Sequence, residues 1–304
     1  MMILDTLFPL FALLLLGSLL KKFQITNEAF LKTADKLVYY IFFPVMLFWK
    51  IGNSPSHGGL SLGLCLAGIF AVVLVFGLSL LFIRQSHLPG FQAGSFSQAC
   101  YRFNTYIGMA IVMNSLGEPG VRYFGILVGF VIPLINVLAV SVLIWYSDQN
   151  LSMKKKIRFF ARALISNPLI LGCVAGLLVS RSGVVFPRVM NNTFSLMTSV
   201  TLPLALISIG GTLSFRGLAC HTKVSLIAVC FKLLALPVVG FFMLKGFQVT
   251  GIPFKTGMIF FCLPTSTAIY VLSAQLNSDT ELASAAIMLS TLFSFVSLSV
   301  ALLL

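Results

Sequence analysis

The chain has 304 residues, of which 59% are hydrophobic and 9% are charged, and its formal net charge is +13. Soluble domains carry about 25% charged residues, so this composition cannot cover a water-facing surface and excludes a soluble fold. A membrane-spanning helix needs about 20 apolar residues, and ten such helices would use roughly 200 positions. The composition predicts an all-α polytopic membrane protein with short connecting loops.

Ten apolar segments are predicted as membrane spans. In chain order they cover residues 3–20, 33–50, 60–83, 92–114, 121–146, 165–180, 192–213, 223–244, 253–275 and 281–303. Residues 148–163, between the fifth and sixth spans, are rich in Lys and Arg, which marks a cytoplasmic loop. Its apolar face also allows it to lie on an anionic leaflet. Five spans precede this cytoplasmic loop and five follow it, so both termini are predicted on the outer side of the inner membrane.

The excess of basic residues fits this orientation. In a soluble protein, 20 Lys and Arg against 7 Asp and Glu would indicate a nucleic-acid partner. Here the basic residues lie mostly at the ends of apolar segments, and they are concentrated in the loops assigned to the cytoplasm. We therefore interpret the charge as an orientation signal and expect no nucleic-acid partner.

The two halves of the chain contain an internal repeat. Three Pro or Gly pairs recur at one constant offset: Pro9 with Pro168, Gly17 with Gly176, and Pro44 with Pro203. Each half would hold five spans, an odd number, so the second half enters the membrane from the opposite side. The predicted organisation is a first five-span repeat (1–147), the basic loop (148–163) and an inverted second repeat (164–304).

Inverted repeats are typical of secondary transporters, whose site lies near the midplane where corresponding helices are interrupted. The fourth and ninth spans contain matching polar centres, QACYRFNTYIGMAI (98–111) and FFCLPTSTAIYVLS (260–273). Pro264 cannot donate a backbone hydrogen bond and is expected to break the ninth helix. Asn104, Thr105 and Gly108 are expected to open the fourth.

The polar centres favour an anion. Half-helix N-termini expose N–H groups and the positive end of a dipole, and Arg102 adds a planar fork suited to a carboxylate. No carboxylate lies at the predicted midplane, so a cation site is not evident. The predicted substrate-binding residues are Arg102, Asn104, Thr105, Gly108, Pro264, Thr265 and Ser266.

Three polar residues within the predicted spans need separate interpretation, and two of them have an alternative. Arg102 can instead be a structural cation satisfied by carbonyl groups. Lys232, in the eighth span, is either functional or snorkels with its long stem toward the membrane surface. Asn136, in the fifth span, is a weaker candidate for the polar centre. The two interpretations of Lys232 differ in whether its ammonium group lies inside the protein or at the membrane surface.

Catalytic and metal chemistry are not indicated. The six cysteines form no C-x-x-C pair, and Cys in an apolar run behaves as a small hydrophobe. No Ser/His/Asp, Cys/His or metal-ligand constellation lies within the spans. We therefore expect no enzyme activity, no metal and no cofactor.

Several motifs together resemble the auxin efflux carrier family, which includes bacterial carriers similar to malate and malonate transporters. They are LGSLLKK after Pro9, FFPVMLF around Pro44, FNTYIG (103–108), NPLILG (167–172), LPLALISIGGTL (202–213), FKLLALP (231–237), LPTSTAIYVLSAQL (263–276) and MLSTLFSFVSL (288–298). The resemblance implies ten spans in two inverted repeats, broken helices that cross at spans 4 and 9, a homodimer and an organic anion as cargo.

This sequence departs from the family pattern at two places. The family usually has a proline two residues after Gly108, where this chain has Ala110, which puts the symmetry of the two breaks in question. The central loop is short, unlike that of the plant auxin carriers, which argues against auxin as a substrate.

The functional hypothesis is a secondary transporter of small organic anions, mono- or dicarboxylates such as malate or malonate, working by alternating access in the lipid bilayer. One alternative is a sodium-coupled organic anion symporter of the bile-acid type, and another is a non-transporting membrane anion sensor. Whether the coupling ion is a proton or sodium is left open.

Overall fold

A computed structural model describes residues 2–53, 61–146, 167–213 and 218–304, so the predicted basic loop 148–163 lies outside the described residues. Every regular element in these ranges is helical. The elements are α1 (Met2–Lys22), α2 (Glu28–Leu37), π1 (Val38–Phe42), α3 (Phe43–Gly52), α4 (Leu62–Gln85), α5 (Gly90–Tyr101), α6 (Thr105–Tyr146), α7 (Pro168–Ser182), α8 (Arg188–Thr212), α9 (Leu218–Cys230), π2 (Phe231–Ala235), α10 (Leu236–Gly246), α11 (Gly251–Cys262), α12 (Ala268–Gln275) and α13 (Thr280–Leu303).

Long apolar helices dominate the described residues. Six segments there are long and apolar enough to cross a membrane: Ile3–Lys22, Leu62–Gln85, Gly90–Tyr146, Arg188–Thr212, His221–Gly246 and Thr280–Leu303. Two shorter apolar helices, α7 and α11, accompany them. The chain is therefore an all-helical multi-pass membrane protein. The expected number of ten spans remains a prediction.

Helix α6 consists of two helical segments. Gly117 has φ 63° and ψ −155°, which is not helical. Glycine adopts this positive φ without the steric penalty that a Cβ brings. The bend at Gly117 falls between the predicted fourth and fifth spans, so α6 contains parts of both.

The chain contacts group the residues into two compact units. The first unit comprises Met1–Ser61, Tyr106–Gly129 and Ser166–Leu213, and the second comprises Leu62–Thr105, Phe130–Ile165 and Ser214–Leu304. Each unit takes segments from both halves of the sequence. Folding therefore requires contacts between residues that are far apart in the chain.

Two glycine contacts organise the first unit. Gly17 on α1 lies so close to α8 that a Cβ would overlap the carbonyl oxygen of Ile207. A Cβ on Gly176 of α7 would lie 2.9 Å from the carbonyl oxygen of Phe48 on α3. Small residues allow such close approach of membrane helices. The offset that relates Gly17 to Gly176 also relates Phe48 to Ile207, so equivalent residues make the same contact twice.

Two π-helical turns precede prolines at the same spacing. π1 ends two residues before Pro44, and π2 ends two residues before Pro237. Proline lacks an N–H, and its ring clashes with the carbonyl four residues earlier. A wider turn accommodates this clash, and such π-bulges are frequent at functional sites. The second turn contains Lys232, so the direction in which this side chain leaves the helix depends on the π turn before Pro237.

We predict that Gly17→Ala destabilises the protein because its Cβ would overlap the backbone of α8. Overpacking of this kind costs about 1–3 kcal/mol and lowers the melting temperature of the purified protein in detergent. Gly77→Ala is the matched control, since no described atom lies within 4 Å of the added Cβ. Equal melting temperatures for the two variants would contradict the proposed role of close α1–α8 packing.

Candidate functional site

Two helices of the second unit are interrupted. α5 ends at Tyr101 and α6 begins at Thr105, and Arg102 between them is extended, with φ −69° and ψ 144°. α11 ends at Cys262 and α12 begins at Ala268. Residues 102–104 and 263–267 are therefore not helical, and we call these two segments the paired breaks.

Hydrogen bonds join the paired breaks directly. The backbone N–H of Asn104 donates to the carbonyl oxygen of Pro264 at 2.9 Å. The hydroxyl of Thr265 donates to the carbonyl oxygen of Ala99 in the last turn of α5 at 3.0 Å. The backbone N–H of Thr265 donates to Ser290 Oγ on α13, also at 3.0 Å. Each break is thus stabilised partly by the other.

Side chains also satisfy the C-terminal end of α11. Ser297 Oγ on α13 donates to the carbonyl oxygen of Cys262 at 2.9 Å, and Lys232 Nζ lies 3.4 Å from the carbonyl oxygen of Phe261. The last four carbonyl groups of a helix have no intrahelical partner, and leaving one unsatisfied in the membrane costs several kcal/mol. Together with Thr265, these side chains stabilise the C-terminal ends of both half-helices.

Arg102 is buried at the first break, with 9% of its surface exposed. Its Nη1 donates to Gln98 Oε1 at 3.1 Å, and its Nη2 donates to Asn136 Oδ1 at 3.3 Å. Both of these acceptors are neutral amides, and these two hydrogen bonds orient the guanidinium. Asn136, predicted only as a weaker contributor to the polar centre, contacts the guanidinium directly.

Lys232 is fully buried, with 0% of its surface exposed. The snorkelling interpretation of this residue is therefore wrong, because a snorkelling ammonium group reaches the aqueous interface. The side chain instead points inward, where its ammonium group donates to the C-terminal end of α11. Burial separates the two interpretations that the sequence leaves open.

The predicted hydroxyl residues have different environments. Thr265 is buried and bonded within the fold, whereas Thr105 and Ser266 are half-buried at the starts of α6 and α12. Ser266 Oγ accepts a hydrogen bond from the backbone N–H of Ala268 at 3.3 Å. Thr265 thus supports the break, while Ser266 lies at a helix N-terminus, which is the end that attracts anions.

Gly108 does not open the fourth helix. It lies inside helical α6, while the interruption occurs earlier, at residues 102–104. The physical reason is that tertiary hydrogen bonds to Pro264 and from Thr265 hold the break, so a flexible residue is not needed downstream. The same contacts explain why the helix is interrupted although Ala110 stands where the family usually has proline.

Serine contacts pack the half-helix α5 against the region that follows the second break. Ser95 Oγ lies 2.8 Å from Ser273 Oγ on α12 and 2.9 Å from Ser278 Oγ. Small polar residues bring membrane helices close and bond across them. These contacts were not predicted from the sequence, since isolated serines in apolar segments carry no local signal of their partners.

A separate cavity of about 340 Å³ lies in the first unit. Its polar lining includes Lys50, Asn114 and Thr198. Among the described residues, Thr198 Oγ1 is buried without a hydrogen-bond partner, and Lys50 forms an ion pair with Glu118. The volume is at the lower end of the range for small-molecule sites, about 300–1,000 Å³.

Comparison with known proteins assigns the chain to a family. The model of a family described as membrane transport protein matches residues 2–302. The chain belongs to this family. It is the auxin efflux carrier family that the motifs indicated, so that prediction is confirmed. The chain is therefore a membrane transporter.

The chain is also similar to a protein with a more specific name. A protein of Rhizobium meliloti (strain 1021), named "Putative malonate transporter", is 23% identical to this chain over 290 residues. The similarity covers 94% of this chain and 90% of that protein. Both the family description and the name of this relative describe transporters, not enzymes.

We predict that Thr265→Val destabilises the protein because it leaves the buried carbonyl of Ala99 without its donor. The expected loss is about 1–3 kcal/mol, measured as a lower melting temperature. Thr193→Val serves as the control, since the exposed Thr193 hydroxyl bonds only within its own helix and its loss should cost less than about 0.5 kcal/mol. If Thr265→Val melts like the parent protein, Thr265 does not support the break.

Proposed function

We propose that this transporter carries small organic anions, mono- or dicarboxylates such as malonate, by alternating access across the inner membrane. The observation that carries the proposal is the buried guanidinium of Arg102 beside the paired breaks, directed by two neutral amides. A buried ionisable residue in a membrane segment indicates a functional site. A negatively charged substrate would bind to this guanidinium.

The helix ends at the paired breaks also favour an anion. Their C-terminal carbonyls accept hydrogen bonds from Thr265, Ser297 and Lys232. The helices that follow begin at Thr105 and Ala268, and N-termini carry the positive end of the helix dipole. In transporters with broken helices, such N-termini point at anionic groups of the substrate.

A carboxylate fits the chemistry of these residues. Arginine binds carboxylates with two parallel hydrogen bonds, and Ser266, half-buried at the start of α12, can orient the bound group. Asn104, Thr105 and Thr265 complete the proposed site, with Pro264 shaping the second break. The relative named for malonate is consistent with a substrate of two carboxylates.

Alternating access rests on the proposed architecture of ten spans in two inverted repeats, 1–147 and 164–304. The equivalent contacts Gly17–Ile207 and Gly176–Phe48 support a repeat. Interruptions at corresponding places in the predicted fourth and ninth spans support it as well. The family resemblance further implies a homodimer, which remains a proposal.

A non-transporting anion sensor is the alternative from another class, and a transport assay separates the two. We predict that Arg102→Ala abolishes uptake of radiolabelled malonate by proteoliposomes, because it removes the charge and the fork together. The expected loss is at least about 30-fold, equivalent to roughly 2 kcal/mol for truncating a buried, hydrogen-bonded charge. Arg102→Lys keeps the charge without the fork and should recover only part of the uptake.

Arg84→Ala is the control for this experiment, since Arg84 is exposed at the end of α4. It should leave uptake unchanged. Melting temperatures of all variants show whether the protein is folded. Normal uptake by a folded Arg102→Ala variant would exclude Arg102 from substrate binding.

The proposed topology places both termini outside, and the predicted loop 148–163 in the cytoplasm. Alkaline phosphatase fused after Leu304 is therefore expected to be active, because the enzyme matures only outside the cytoplasm, and a fluorescent protein at the same position should remain dark. Fusions within 148–163 should behave in the opposite way. An inactive phosphatase after Leu304 would contradict the ten-span topology.

A further inference from the structure

Lys232 lies at a helix end that attracts cations. Its Nζ is 3.4 Å from the carbonyl oxygen of Phe261, the penultimate residue of α11. Helix C-termini carry the negative end of the dipole. In transporters with broken helices, half-helix C-terminal ends and unwound carbonyls coordinate the coupling Na⁺ or H⁺. The ammonium group of Lys232 lies at such an end of α11.

The surroundings of Lys232 provide no carboxylate for it. Among the described residues, no Asp or Glu forms an ion pair with Lys232. Its Nζ lies 3.4 Å from the carbonyl oxygen of Phe261, near the end of α11. In the described part of the chain, the hydrogen-bond partner of the buried ammonium group is thus a backbone carbonyl at the end of α11 and not an acidic side chain.

The π turn directs Lys232 inward. π2 widens the helix just before Pro237, and within this one turn Lys232 is fully buried while Leu234 is exposed on the opposite side. The neighbouring carbonyls of Ala99 and Cys262 already accept hydrogen bonds from Thr265 and Ser297. Thr265 and Ser297 thus occupy two of the carbonyls that could coordinate an ion, and the ammonium group of Lys232 takes the place of the ion itself.

We propose that Lys232 is a tethered cation of the transport machinery, which occupies the position of a coupling Na⁺ at the C-terminal end of α11, so that anion transport by this chain needs no sodium. The inference rests on the proposed function for its transport part. It also decides against the sodium-coupled alternative. The positional part, that a cation at this site stabilises the C-terminal end of α11, stands on the geometry alone.

The transport test compares malonate uptake in sodium and in choline buffers for the parent protein and three variants. The parent protein should transport equally in both buffers, within about twofold. Lys232→Met, similar in length but uncharged, should lose uptake by at least about tenfold, because it removes a buried charge at a helix C-terminus. Lys232→Arg keeps the charge and should retain more uptake than Lys232→Met. Lys223→Met, on the exposed face of α9, should be unchanged.

Sodium-dependent uptake by the parent protein, or full uptake by Lys232→Met, would overturn the proposal. The positional part is tested without substrate, from the melting temperature of Lys232→Ala. Truncation leaves space for a small cation, so Na⁺ or methylammonium should raise the melting temperature of this variant and not that of the parent protein. If neither ion does so, or if sodium stabilises the parent protein equally, Lys232 does not occupy a cation position.

These readouts separate the two proposals. If the parent protein transports no organic acid in either buffer, the proposed function fails, while the melting temperatures of Lys232→Ala still decide whether Lys232 is a tethered cation. If Lys232→Ala does not fold, the melting temperatures of Lys232→Met and Lys232→Arg are compared instead. Equal values would then overturn the positional role, and a more stable Lys232→Arg would support it.

Discussion

Backbone groups that leave a helix inside a membrane need partners, because the hydrocarbon offers none. The paired breaks meet this requirement mutually: the N–H of Asn104 donates to the carbonyl of Pro264, and the hydroxyl of Thr265 donates to the carbonyl of Ala99. Each break is thus stabilised partly by the other. The non-helical segments 102–104 and 263–267 can therefore lie within an apolar fold because two distant segments of the chain are interrupted together.

The way in which these groups are satisfied sets the electrostatics of the site. Thr265, Ser297 and Lys232 satisfy the C-terminal carbonyls with side chains of the protein itself. The helix N-termini that follow the breaks then contribute positive potential, to which Arg102 adds a full charge. Since the fold supplies the positive charge and no carboxylate pairs with Lys232 among the described residues, an anionic substrate would complete the balance.

Local chemistry explains what could be predicted from the sequence. Pro264 marks the second break because proline cannot donate a hydrogen bond, and Arg102 stands out as a charge within an apolar segment. The partners Asn136, Ser290 and Ser297 are distant in sequence from the groups they bind, and of these only Asn136 is predicted from the sequence, as a polar contributor without a named partner. Gly108 shows the converse error, because its local flexibility suggested a break that tertiary hydrogen bonds place elsewhere.

The central claim is that an organic anion binds at the paired breaks. A structure of the purified protein determined with saturating malonate tests it most directly. We expect density for a carboxylate within hydrogen-bond distance of the Arg102 guanidinium and near Ser266. Malonate bound only in the cavity lined by Lys50 and Thr198, with none at Arg102, would contradict it.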